Sequence, residues 1–151
     1  MNLQAAINRN ALRSLSLALA AGLALSPAMA QAGDMTVTVT NIPDSVGLVR
    51  IGICTEAEFP GTQCALHALV PAARGEVTAI IANVPAGTYA VAAFEDRNGN
   101  GKLDRSFFGI PTEPIGFARN PPMRMGPPSF ADAALRIPAE GGTVTVPLRL
   151  R

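Results

Sequence analysis

Between residues 96 and 128 the chain sets Gly99, Gly101, Gly109, Gly116 and Gly126 among Pro111, Pro114, Pro121, Pro122, Pro127 and Pro128. Proline lacks the amide that a helix interior or a central strand must donate, and glycine loses the most backbone entropy when fixed. No long helix and no central strand can therefore run through this segment. In a compact domain, so long an irregular stretch is functional or mobile. Phe107, Phe108, Ile110, Ile115 and Phe117 give it apolar surface with which to pack on whatever its flanks build.

The flanks read as strands. Residues 35–40 alternate methionine or valine with threonine, which at period two puts Met35, Val37 and Val39 on one face. Asn41, Pro43, Asp44 and Ser45 supply turn chemistry, and residues 47–54 form a second strand expected to pair with the first as a hairpin. Residues 76–81 predict a third strand, ended by Asn83-Val84-Pro85-Ala86-Gly87, where Gly87 is expected to supply a positive φ. Residues 88–94 place Tyr89, Val91 and Ala93 on one face and Ala90, Ala92 and Phe94 on the other, so this strand should be central. Residues 133–137 and 142–150 close the chain as strands, and Pro147 predicts that the last is an edge or presents that position outward. One short helical turn fits near Glu56 to Phe59. Roughly six or seven short strands with turn signals between them predict an all-β fold, a single immunoglobulin-like sandwich.

Residues 1–30 predict a cleaved signal peptide. Arg9 and Arg13 precede an apolar run of about eleven residues that ends in Ser26-Pro27-Ala28-Met29-Ala30, the order of a positive region, an apolar region and an A-x-A site. A membrane-spanning helix needs roughly 20 residues. An uncleaved anchor is the alternative, but Pro27 and the small residues suit a peptidase better than a helix. Cleavage after Ala30 leaves residues 31–151, enough for one domain and too few for two, with the irregular loop at 95–128 inside it. Losing two arginines leaves ten basic residues against eleven acidic ones, a net charge near −1. Neither a basic patch for nucleic acid nor an acidic tail is present. No second long apolar run follows, so no membrane span is expected after cleavage, and the expected location is the periplasm or the medium. Cys54 and Cys64 are the only cysteines, and in an oxidising compartment they should form a disulfide worth about 2–3 kcal/mol. A reactive thiol paired with the sole histidine, His67, has no supporting motif.

One loop carries recognisable chemistry. Along residues 95–104 the oxygen-bearing side chains of Asp96, Asn98, Asn100 and Asp104 alternate around Gly99 and Gly101. Ca²⁺ takes six to eight oxygens, and an extended loop that bends at a glycine can aim alternate side chains and one carbonyl at a common centre. The first six positions match the start of an EF-hand loop, with the Lys102 carbonyl and Asp104 in the next ligand places. The match then fails, since Phe107 stands where the bidentate glutamate belongs and no amphipathic helices flank the loop. Any Ca²⁺ site would need completion by Glu95, Glu113, Asp132 or water. The competing reading is a metal-free turn, because Asn-Gly pairs form tight turns by bonding their own backbone. Both readings stand at this level. Met123 and Met125 could ligate copper by their thioethers, though packing is the commoner use.

Three blocks then become specific. Asn83-Val84-Pro85-Ala86-Gly87-Thr88-Tyr89-Ala90-Val91, the loop from Asp96 to Asp104, and Phe108-Gly109-Ile110-Pro111-Thr112-Glu113-Pro114-Ile115-Gly116-Phe117 resemble an exported bacterial family known as domain of unknown function 2141. The likeness extends over nearly all of the chain after residue 30, including Pro128-Ser129-Phe130-Ala131-Asp132-Ala133. It implies a periplasmic or secreted β-sandwich similar to transthyretin-like and carboxypeptidase-regulatory-like modules, with no established activity. The sequence departs from the family pattern at Arg97, where an acid is common, and at Ala118-Arg119, where serine or asparagine is usual.

Three functions are consistent with these residues. The first is a non-enzymatic binding or accessory module for an unknown protein or small ligand, with a Ca²⁺-stabilised loop at 96–104. The second is a hydrolase using Asp96, Asp104 or Glu113. The third is a structural envelope protein that docks a partner through a sheet edge or Phe107 and Phe108. The chain shows no nucleophile and base in a known arrangement and a single histidine, so no enzyme is expected. Intact-mass analysis of the exported protein should find a chain beginning at Gln31; an N-terminus that retains residues 1–30 would overturn the signal peptide.

Overall fold

The computed structural model describes residues 31–150, so the expected signal peptide lies outside the described residues. Among the described residues, eight strands form two sheets that pack face to face as a β-sandwich. In the first sheet β1 (Ala32–Ile42) lies between two neighbours, β4 (Gly75–Pro85), antiparallel to it, and β8 (Gly141–Pro147), parallel to it. The second sheet has the order β3 (Leu66–Pro71), β2 (Leu48–Cys54), β5 (Gly87–Asp96) and β6 (Ile115–Phe117). A further short strand, β7 (Ala134–Ile137), pairs with the early part of β5.

Period-two alternation builds the core between the sheets. Met35, Val37 and Val39 of β1 join Val49, Ile51 and Ile53 of β2 and Tyr89, Val91 and Ala93 of β5 in one buried cluster. Each fully buried aliphatic side chain stabilises the fold by roughly 1.5–3 kcal/mol. β5 is central, as its two apolar faces predict, and β8 is an edge strand that ends at Pro147.

The expected hairpin of the first two strands does not form. β1 and β2 belong to different sheets, β1 between β4 and β8 and β2 between β3 and β5, and their apolar faces meet across the sandwich. Asn41 and Gly47, at φ 61° and 77°, turn the chain from one sheet to the other. The turn at 83–87 also works differently from expectation. Asn83 carries the positive φ of 56°. Gly87 is needed for space, since a Cβ there would lie 2.8 Å from the Tyr89 ring. β3 has no counterpart in the sequence reading, because Leu66, Ala68, Leu69 and Val70 blur its alternation. Near Glu56 to Phe59 the chain makes tight turns, with Glu58 and Phe59 N–H both donating to the Thr55 carbonyl. The short helix is elsewhere, α1 (Phe130–Ala133), capped by the Ser129 hydroxyl, which accepts from Asp132 N–H.

A second buried cluster lies on the outer face of the five-stranded sheet. Ala90 and Phe94 of β5 pack with Leu103, Ile115, Phe117 and Ala133, and Phe59, Met123 and Phe130 cover them. The long irregular segment is thus folded over one face of β5. The disulfide between Cys54 and Cys64, both buried, closes the intervening loop and holds Phe59 edge-on to Phe117 and Phe130, at ring separations of 5.7 and 5.9 Å. Among the described residues no helix is long and apolar enough to cross a membrane.

Truncating Ile51 to Ala, 1% exposed, should cost roughly 2–5 kcal/mol in urea unfolding, whereas Ile80→Ala, 66% exposed on β4, should cost less than about 1 kcal/mol. Equal losses at the two positions would contradict the packing of the sheets.

Candidate functional site

β5 ends in two carboxylates that alternation sends to opposite faces of its sheet. Glu95 follows Val91 and Ala93 onto the inner face, and Asp96 follows Phe94 onto the outer one. Both are fully buried. Their surroundings differ in kind.

Asp96 is compensated. Arg50 of β2 pairs with Phe94 in register, two places from Asp96 on the same face, and its Nε donates to Asp96 Oδ2 at 2.5 Å. Asn100 N–H donates to Oδ1 at 3.0 Å and Gly101 N–H to Oδ2 at 2.9 Å. Burial alone would raise this carboxyl's pKa, but the Arg50 guanidinium with the N–H groups of Gly101 and Gly99 outweighs it and holds the pKa below the usual value. Asp96 is therefore an anion at neutral pH.

The loop wraps itself around that anion. Asn98 Oδ1 accepts from Asn100 N–H at 3.0 Å, and Asn100 Oδ1 accepts from Lys102 N–H at 2.8 Å, two successive side-chain-to-backbone turns. The amides of Asn98 and Asn100 both reach Asp104, at 2.6 and 2.9 Å, one on each carboxylate oxygen. Gly101, at φ 79°, makes the bend that brings Asp104 back toward Asn98. The side chains of Asn98 and Asn100 thus both meet Asp104, and Asp96 is tied to the same turn through backbone.

Of the three residues named as distant completions, Glu113 reaches the loop, and it does so through the loop's backbone. Glu113, buried, accepts from Arg97 N–H at 2.8 Å and from Asp104 N–H at 3.0 Å, so it clamps the two ends of the loop by their backbone. Asp132 accepts from the Ser129 hydroxyl beside α1, and Glu95 faces the other side of the sheet. Among the described residues no three His, Cys, Asp or Glu side chains converge as a metal-ligand set. The loop's oxygens come from two aspartates and two asparagines. His67 Nδ1 donates to the Cys64 carbonyl at 3.0 Å, and both cysteines are consumed by the disulfide.

Two residues emerge only in three dimensions. Arg50 is a single charge between Val49 and Ile51, and its alternation to the outer face was the available signal. Arg97, whose charge beside the loop departs from the family pattern, turns away from the loop oxygens. Its Nη2 donates to Asp44 at 2.7 Å, and Nη1 lies 3.8 Å from Glu95. The second departure is also structural: Arg119, at φ 63°, donates to the Ala134 carbonyl at 2.9 Å and ties the loop after β6 to the end of α1.

Glu95 is the uncompensated member of the pair. Neither of its oxygens finds a hydrogen-bond donor among the described residues. Burial, followed by the nearby Asp44 carboxylate, raises its pKa, against the smaller opposing pull of Arg97. The folded protein then binds this proton more tightly than the unfolded chain does. Acidification from neutrality through the raised folded pKa, down to the ordinary value near 4.5, should therefore relieve a cost at Glu95. At Asp96 the sign is opposite: its stabilisation is full above the ordinary value near 3.8 and is lost as pH falls through the lowered folded pKa. Glu95→Gln should stabilise the protein at pH 7–8 in urea titrations and should abolish the gain on mild acidification. A destabilised Glu95→Gln with an unchanged pH profile would contradict this assignment.

No curated protein and no solved structure matches the chain. A family profile does, over residues 37–145, from the middle of β1 into β8 and including the whole of the Asp96 loop. On that match the chain belongs to the bacterial family described as "Uncharacterized protein conserved in bacteria (DUF2141)".

Proposed function

We propose that this domain is an exported, non-enzymatic binding module, periplasmic or secreted, whose 96–104 loop takes up Ca²⁺ and is locked by it onto the end of β5. The observation that carries the reading is the contact of Asn98 and Asn100 with both oxygens of Asp104 beside an ionised Asp96. Each Asn Oδ1 accepts one backbone N–H and keeps a second lone pair, and Asp96 Oδ1 has one such partner. With the Lys102 carbonyl and water, these oxygens meet the coordination number of Ca²⁺. The cation replaces the two Asn–Asp104 hydrogen bonds. Two neutral amide ligands set a modest affinity, suited to the millimolar Ca²⁺ that extracellular modules meet. The Arg97 guanidinium, engaged by Asp44, leaves the loop's charge balance to its own aspartates.

The carboxylates that a hydrolase would use are engaged already: Asp96 by Arg50, Glu113 by two backbone N–H groups, Asp104 by two amides. That supports binding over catalysis. The buried disulfide suits an oxidising compartment outside the cytoplasm.

Thermal melting with and without Ca²⁺ tests the proposal. A ligand specific to the folded state adds about 2.7 kcal/mol at a hundredfold excess over Kd, so millimolar Ca²⁺ should raise the Tm. Asp104→Ala, a partly exposed position, should leave a folded protein without that shift. A wild-type Tm that is unchanged in millimolar Ca²⁺ would sink the reading.

A further inference from the structure

The segment after the Asp96 loop forms one wall of a groove of about 440 Å³, inside the range of roughly 300–1,000 Å³ typical of small-molecule sites. Its floor is Ile115 and Phe117, which belong to the outer core on β5. One wall is the turn at 105–111, closed by the bridge of Arg105 with Pro111 and by Ser106 N–H donating to the Ile110 carbonyl at 2.8 Å. The facing wall is the proline-rich strap that carries Met123 and Met125. Phe108 and Met125, one on each wall, are 84% and 102% exposed, and Phe107 beside them is 98% exposed. Apolar side chains left in water on both lips of an apolar groove mark a surface that something covers.

Charge says what covers it. Among the described residues, the ionisable groups that line the groove are Arg105 and Arg124, both exposed, with no acid among them. Arg105 Nη1 donates to the Gly109 carbonyl at 3.1 Å, which fixes the guanidinium at the turn. Apolar walls with two cations select a molecule with an apolar body and an anionic end. The thioethers of Met123 and Met125 adapt to a flexible chain better than to a rigid plane.

We infer that this groove binds a single-chain anionic amphiphile, its acyl or alkyl chain against Ile115, Phe117 and Met123 and its carboxylate or phosphate between Arg105 and Arg124. The inference deepens the binding-module reading and is independent of the Ca²⁺ loop.

The test is calorimetric titration of the mature protein with dodecanoate and dodecyl phosphate below their aggregation concentrations. Dodecyl maltoside and dodecyltrimethylammonium serve as neutral and cationic controls of equal chain length. Saturable one-to-one binding of the anions is expected, at least about tenfold tighter than of the controls. Arg105→Gln and Arg124→Gln should each weaken the anions about tenfold without changing the neutral control, and Ile110→Asp should weaken every chain. Because Arg105 also braces its own turn, unchanged binding of dodecyl maltoside by each arginine variant is the measurement that shows the groove still folded. Equal affinity for all head groups, absence of saturable binding, or binding to anionic vesicles alone would each overturn the groove assignment. Running the titration in EDTA and in Ca²⁺ separates the two readings. Dodecanoate binding without a calcium-dependent Tm shift leaves the groove and removes the metal; the converse removes the groove alone.

Discussion

The two-sided burial of β5 is the constraint on which the remaining structure depends. Tyr89, Val91 and Ala93 are committed to the space between the sheets, and Ala90 and Phe94 must be covered from outside. A sandwich of two sheets supplies a cover for the first face only. The second is covered by chain that cannot itself be a sheet layer, because its prolines remove the donors a ladder needs. Only three residues of it, Ile115–Phe117, add to the sheet. At Gly116 this cover runs close against the other sheet: a Cβ would lie 2.1 Å from the Pro147 carbonyl. The segment is therefore irregular in backbone yet fixed in place by apolar contact, which explains how an aperiodic stretch can carry a defined site.

The same strand also sets the electrostatics. Period two sends one terminal carboxylate into each of two buried environments, and the difference between them is the number of donors each meets. Asp96 meets a guanidinium and two N–H groups; Glu95 meets another carboxylate and the flank of an arginine already bound to Asp44. A buried carboxylate with donors is a stable anion, and one without them is driven toward its neutral form. Adjacent residues of one type thus behave oppositely, for reasons of geometry alone.

Much of this was legible in the sequence where the signal is local. Alternation in residues 35–40 and 88–94 placed β1 and β5 and their faces, Pro147 placed an edge, and two cysteines in an otherwise cysteine-free chain formed the disulfide. The partners of strands were not legible. β1 lies beside β4 and β8, more than thirty residues away in sequence, and nothing in residues 35–54 distinguishes a hairpin from a crossing between sheets. The loop's oxygen pattern was visible as a row of letters, but the clamp of Glu113 on Arg97 and Asp104 depends on a return of the chain that proline-rich sequence does not announce. Arg50 was hidden for a related reason: a charge in a strand reads as a solvated position until the strand beside it is known to end in an acid.

The polar loop and the apolar groove are consecutive along the chain and share a mechanical boundary at Asp104. Its carboxylate gathers Asn98 and Asn100, its N–H is held by buried Glu113, and its carbonyl accepts from Thr112 N–H at 2.9 Å, just beyond the turn that forms the groove wall. Whatever orders the oxygens of Asp104 orders the base of that wall. Phe59, fixed by the disulfide-closed loop, presses on Phe117 from outside and so braces the groove's floor. Two covalent or electrostatic tethers, one at each end of the outer cluster, thereby hold a surface that the backbone of this segment could not hold by hydrogen-bonded ladders. The position of the groove follows from where proline forbids a strand and phenylalanine still requires burial.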